Sequence, residues 1–192
     1  MATGPLAVTG DVAIGTDYWG LSGDLNLRAA SRGVFASVGG GTVRFVTEPK
    51  ESRTTFGGTA GWERSNRDMI ICPYLHAGST RGSAVYAGTD STYKRSGNNV
   101  GLGVGIGFEL RTRKKWLSYN PFLSGAYTRL YQKIDRTTPI DTVEYGVFFA
   151  AGLGVRVNEY LQITPSFSGG TFEGSNLEFD LRVSLALRFK KG

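Results

Sequence analysis

From Leu177 to Phe189 the chain alternates without a break. Leu177, Phe179, Leu181, Val183, Leu185, Leu187 and Phe189 occupy one parity, and Glu178, Asp180, Arg182, Ser184, Ala186 and Arg188 occupy the other. Successive side chains of a strand point to opposite faces, so this segment has one wholly apolar face and one almost wholly polar face. An ordinary strand runs about 5–6 residues, whereas a tilted strand crossing a bilayer needs about 9–11. This run has the length of a crossing strand.

The pattern recurs along the chain. Val100, Leu102, Val104, Ile106, Phe108 and Leu110 alternate with Gly101, Gly103, Gly105, Gly107, Glu109 and Arg111. Either a soluble or a membrane barrel has one apolar face, and the glycines discriminate between them. Four glycines facing water would weaken a strand with no return. Facing a barrel interior, they make room for large polar side chains such as Arg and Glu from neighbouring strands. Glycine is abundant, 28 of 192 residues, while proline is scarce at 6, which excludes a disordered Pro/Gly chain. No apolar stretch reaches the ~20 residues of a spanning helix. The mean hydropathy of −0.17 does not argue against a membrane barrel, because only one residue in two faces lipid.

Ten alternating segments predict an all-β, single closed antiparallel transmembrane barrel of ten strands over residues 1–192. Eight strands, with the first 30 residues forming a plug or lid, is the alternative. An even count brings both ends to one side. Ser31-Arg32, Ser65–Arg67 and Asn158-Glu159 are short turns on that side, with Arg111–Tyr119 a longer basic one. Gly78–Asn99 and Ile134–Thr142 are the longer loops of the other side. Gly39-Gly40-Gly41 invites a β-bulge that would bring Val43 and Phe45 onto the apolar face of Val34, Ala36 and Val38. Pro73, Pro121 and Pro165 fall inside proposed strands, and are expected at strand ends or bulges because proline donates no ladder bond.

At this point the chain resembles small Gram-negative outer-membrane β-barrel proteins of the broad opacity-protein and porin-like superfamily. Two stretches carry the resemblance: Gly15-Thr16-Asp17-Tyr18-Trp19-Gly20 after the first strand, and the last strand ending at Phe189, followed here by Lys190-Lys191-Gly192. It implies a bacterial outer-membrane location. No secretory signal is visible at Met1, so the sequence is expected to be the mature form.

The expected interior charges are Asp11, Arg44, Glu63, Glu109, Glu144, Arg156, Glu178, Asp180, Arg182 and Arg188, with Asp24 and Arg28 beside them. Charges in a narrow interior must pair. Tyr18, Trp19, Trp62, Trp116, Tyr119 and Tyr160 are expected at the membrane interface, where amphipathic rings form girdles. The net charge of +6 is spread out, with clusters at Arg111–Lys115 and Lys190-Lys191; nucleic acid is not expected as a partner. The single histidine, His76, lacks the spacing of an outer-membrane acylase, and with Cys72 it is too little for zinc. Catalytic, cofactor and metal sites are therefore expected to be none.

The leading expectation is a non-catalytic structural or interaction module with a plugged polar interior. Its partners would be outer-membrane lipid or lipopolysaccharide, and a protein partner reached through loops 79–97 and 134–142. A narrow channel or transporter for ions or small solutes is the first alternative, and a soluble lipocalin-like ligand-binding barrel the second.

Overall fold

The computed structural model describes residues 6–15, 17–29, 33–46, 50–66, 68–85, 92–114, 116–135, 140–158, 160–173 and 177–189. The strands are β1 (Leu6–Gly15), β2 (Tyr18–Ala29), β3 (Val34–Phe45), β4 (Lys50–Trp62), β5 (Arg64–Asn66), β6 (Met69–Val85), β7 (Thr92–Phe108), β8 (Leu110–Arg111), β9 (Leu117–Asp135), β10 (Ile140–Val157), β11 (Leu161–Phe172) and β12 (Glu178–Phe189). Ten of them form an antiparallel meander in which each strand pairs with its sequence neighbours. The ring closes where β1 pairs with β12, from Leu6 opposite Phe189 to Gly15 opposite Asp180. β5 and β8 are short strands outside the ring's path, paired with β6 and β9. The N-terminal segment is part of the wall, so the eight-strand alternative is excluded.

Partner positions climb as they pass around the wall. From Phe172 the partners run through Gly146, Thr128, Gly101, His76, Thr59, Ser37, Asn26, Ala7 and Arg188. The Arg188 amide then donates to the Tyr160 carbonyl, at the other end of β11. Strands in such a ring must tilt against its axis.

The molecule is inside out relative to a soluble domain. Among the described residues, the buried apolar side chains are Ala7, Cys72 and Ala186, whereas Asp11, Glu51, Glu63, Ser118, Thr128, Gln132, Gln162 and Arg188 are all buried. Leu102, Val104 and Ile106 are 61%, 47% and 37% exposed on the outer face, with Gly101, Gly105 and Gly107 buried between them. A soluble barrel turns its apolar face inward. This one turns it out.

Gly101 and Gly103 of the alternating glycine strand receive rings, a correction to the expectation that they make room for Arg and Glu. Tyr74 lies opposite Gly103 and His76 opposite Gly101. A Cβ on Gly103 would stand 2.5 Å from Tyr74 Cζ, and one on Gly101 2.5 Å from His76 Cε1. Phe35 covers Gly61 and Phe122 covers Gly152 in the same way. Each ring lies flat along the inner wall rather than across the lumen.

Three further expectations are corrected. β3 pairs with β2 and β4 without a skipped residue through Gly39, Gly40 and Gly41, so there is no bulge. The stretch 79–97 is mostly a hairpin, with Gly78 opposite Asn99 and pairing continued to Val85 opposite Thr92. Likewise 134–142 carries pairing from both ends, with Ile134 opposite Ile140. Their tips, 86–91 and 136–139, lie outside the described residues, as do Ser31-Arg32, Arg67, Glu159 and Lys190-Lys191-Gly192.

The prolines stand inside strands, each at a missing rung. β4–β6 pairing stops at Gly61 opposite Tyr74 and resumes in the same register at Arg64 opposite Ile71, with Pro73 in between. β7–β9 pairing stops at Gly107 opposite Phe122 and resumes at Leu110 opposite Tyr119, spanning Pro121. β10–β11 pairing skips from Gly152 opposite Ser166 to Val155 opposite Ile163, spanning Pro165. A residue without an N–H cannot supply the rung.

Two substitutions test the orientation. Leu102→Arg should cost about 2–4 kcal/mol when unfolding from lipid vesicles is followed in urea, the cost of a cation on a lipid-facing position near mid-bilayer. A neutral result would place that face in water. Gly103→Val should cost about 1–3 kcal/mol in the same assay, because its added carbons meet the Tyr74 ring and the Gly125 carbonyl.

Candidate functional site in the barrel lumen

The end of the barrel that carries Leu6 and Phe189 is joined by short turns. Asn158 makes one of them at φ 61°, its side-chain oxygen accepting from the Tyr160 amide at 2.8 Å. Just inside this end the strands bring charges to one level. Arg28 of β2 meets Glu63, which follows β4, at 2.6 Å. Arg156 of β10 meets Glu109, between β7 and β8, at 2.5 Å, and Arg111 approaches Glu109 at 3.5 Å. Arg188 of β12 donates to Gln162 of β11. Arg28 and Glu63 have β3 between them, and Arg156 and Glu109 have β9 between them. Each pair therefore reaches over one intervening strand on the inner side of the ring.

The opposite end carries a second cluster. Glu51 holds Arg53 through two bonds of 2.6 and 2.7 Å, and Arg95 of β7 approaches Glu51 at 3.6 Å. Arg95 also donates to Gln132, whose amide lies 3.5 Å from Glu144. Across the mouth, Asp180 accepts from Tyr18 at 3.0 Å and from Ser168 at 2.6 Å.

Between these ends the lumen is not filled. Two cavities of about 610 Å³ and one of about 440 Å³ share walls along its length. Tyr18, Phe45, Arg53, Glu178 and Arg182 border both of the larger ones. The smaller lies deeper, against Phe35, Cys72, Tyr74 and Phe122. Barrels of about eight strands are filled by their own side chains, and a wider ring leaves room. His76 reaches this space, its Nε2 3.0 Å from the Thr128 hydroxyl. Among the described residues no cluster of three or more His, Cys, Asp or Glu could hold a metal ion.

Of the expected interior charges, Asp11 accepts from Ser22 at 3.3 Å, and Asp24 lines the same cavity. Glu63, Glu109, Arg156 and Arg188 meet at the turn end, and Glu144 and Asp180 lie toward the mouth. Glu178 and Arg182 share the inward parity and stay solvent-accessible above the floor. Arg44 does not belong with them. Without a bulge it faces outward, 5.7 Å from the Trp19 ring, while Val43 and Phe45 face in. Phe45 packs against Tyr18 at 5.5 Å and under Arg53 at 4.5 Å.

Tyr18 is likewise an inward residue rather than an interface ring. Trp19, Trp62, Trp116 and Tyr160 are exposed on the outside, and Tyr119, opposite Leu110, shares the outward parity of its strand. Arg95 was missed because its segment read as loop, and Glu51, Arg53 and Gln132 were not singled out among the interior residues. Extending the Thr55–Glu63 alternation backwards would have placed Glu51 and Arg53 on the inward parity.

No protein-family model and no curated protein sequence matches the chain. Solved structures do resemble it. The translocator domain of the autotransporter NalP from Neisseria meningitidis superposes with a TM-score of 0.62, covering 96% of this chain and 88% of that one at 13% identity. The beta domain of the Bordetella autotransporter BrkA gives 0.54, covering 97% and 100% at 11% identity. The chain has the outer-membrane β-barrel fold. Identities this low carry the fold alone, and the function of this barrel rests on its own residues.

A double-mutant cycle tests the floor. Glu63→Ala strands Arg28 in a largely dry site and should destabilise the barrel by roughly 1–3 kcal/mol. Arg28→Ala together with Glu63→Ala should cost less than the sum of the two single changes, with a coupling of about 0.5–3 kcal/mol in vesicle unfolding.

Proposed function

We propose that the protein is a non-catalytic barrel of a bacterial outer membrane. In this reading its lumen is sealed at the turn end, and its raised wall presents an interaction surface outside the cell. One observation carries the reading: three polar pairs, Arg28–Glu63, Arg156–Glu109 and Arg188–Gln162, crowd the lumen at the turn end, and an ion would have to pass between them. Short turns at that end match the periplasmic side of bacterial barrels, so the mouth faces outward.

The surface on offer is the upper part of β6, β7, β9 and β10. These strands run 17, 17, 19 and 18 residues, against 10 to 13 for β1 to β4, β11 and β12. The tips of the hairpins within 79–97 and 134–142 are the contact points for a protein partner, and lipid surrounds the apolar belt. Support for a non-catalytic role comes from His76, whose Nε2 partner is a hydroxyl rather than a carboxylate. The second reading, a narrow channel or transporter for ions or small solutes, is favoured by the connected cavities and by Arg182 standing solvent-accessible in both larger ones.

Planar-bilayer recording separates the two. The wild-type barrel should be silent, and the combined Glu63→Ala, Glu109→Ala variant should show discrete conductance steps, because its floor loses both carboxylates. Steady conductance from the wild type would reject the sealed lumen in favour of the channel. Migration on SDS gels that changes on boiling checks that each sample entered the bilayer folded.

A further inference from the structure

The outer wall above the apolar belt carries cations that the lumen does not use. Arg81 of β6, Lys94 of β7, and Arg129 and Lys133 of β9 all face outward and are exposed. Among the described residues none of the four is in an ion pair within 4.0 Å. Asp135 stands opposite Lys94 and Asp141 opposite Lys133, which leaves the two lysines partly balanced. The arginines have neutral neighbours: Arg81 lies between Thr54 and Ser96, and Arg129 between Val100 and Tyr145.

Depth is set by the rings. Tyr127 and Tyr131 flank Arg129 on its own face of β9, and Tyr127 stacks on Tyr145 at 6.0 Å. Exposed tyrosines of this kind sit at headgroup level. Below them the wall is Leu75, Leu102 and Leu123, all exposed and apolar. In the row of Tyr131 it is Asn98 and Ser79, and beyond them Ser96 and Ser83, all exposed and polar. Arg81 and Lys133 share one row through Ser96, two strand spacings or roughly 10 Å apart.

We propose that the outer face of β6, β7 and β9 binds a phosphorylated lipid of the outer leaflet. Arg81 and Arg129 are the phosphate anchors, Lys133 and Lys94 flank them, and the acyl chains lie on the leucines beneath. Guanidinium pairs with phosphate through two parallel bonds, and the serines and Asn98 add neutral donors. Separated anchors suit a headgroup bearing more than one phosphate. The proposal rests on the membrane-barrel reading and not on the sealed floor, since none of these side chains enters the lumen.

The test is native mass spectrometry of the full chain in detergent, incubated with diphosphorylated lipid A or with phosphatidylcholine. Wild type should retain lipid A in preference to phosphatidylcholine. Arg81→Gln with Arg129→Gln should lower lipid A retention by about tenfold or more, and Arg113→Gln, exposed at the turn end of the barrel, should leave it unchanged. Equal retention by wild type and the double variant would overturn the proposal, as would an equal loss in Arg113→Gln or equal retention of phosphatidylcholine by wild type. If the double variant does not give a heat-modifiable folded band, the single variants replace it. Each should show a partial loss, and no loss in either would overturn the proposal. Bilayer recording of the same variants reads the lumen separately, so failure of one reading does not mask failure of the other.

Discussion

Hydrocarbon offers no partner to a backbone N–H or C=O, so a sheet that enters it must leave no edge. Every other feature of this chain follows from that constraint. Closure is made by β1 and β12, whose ten paired positions join the two ends of the described chain into one wall. With the edge removed, the outer face is free to be apolar, and the exposed valines, leucines and isoleucines are its solvent-facing surface toward lipid rather than a fault. The same closure traps the polar face in a narrow interior. There the side chains must find one another, which is why ion pairs bridge over intervening strands at both ends.

Space inside is governed by the glycines. A ring of ten tilted strands leaves a lumen that bulky inward residues would crowd. The chain meets this by setting several inward rings opposite a glycine of the next strand, as with Tyr74 and Gly103. Aromatic mass then becomes wall lining. The cavities survive in the middle of the barrel, and charge is concentrated toward the floor and the mouth.

Much of this was legible in the sequence, because a period of two is the strongest signal a barrel strand can emit. The glycine parity of Gly101 to Gly107 was enough to decide which face looks outward. The errors share a cause. Where the apolar parity weakened, the strand was taken to bulge or end. At Gly39–Gly41 a change in parity suggested a bulge, yet Val43 and Phe45 turn inward because Tyr18 and Arg53 wait there to pack with Phe45. That contact joins three strands, and no local pattern announces it. Beyond Ala77 and before Val100 the outer face becomes polar because the wall has left the hydrocarbon, and a polar outer face over a polar inner face reads as loop. Arg95 was lost with it. The prolines misled in the opposite direction: a barrel tolerates a missing rung where a soluble sheet's centre is thought not to.

The two halves of the barrel differ in height. Strands β6 through β10 rise well past their neighbours, and the connection from β1 to β2 is made by Thr16 and Asp17 alone. The opening is therefore cut on a slant, like the end of a quill. A molecule travelling in the plane of the membrane meets the low lip of β1, β2 and β12 near the level of the lipid headgroups, and Tyr18 with Asp180 stands at that sill. One arriving from the bulk solution meets the tall side first.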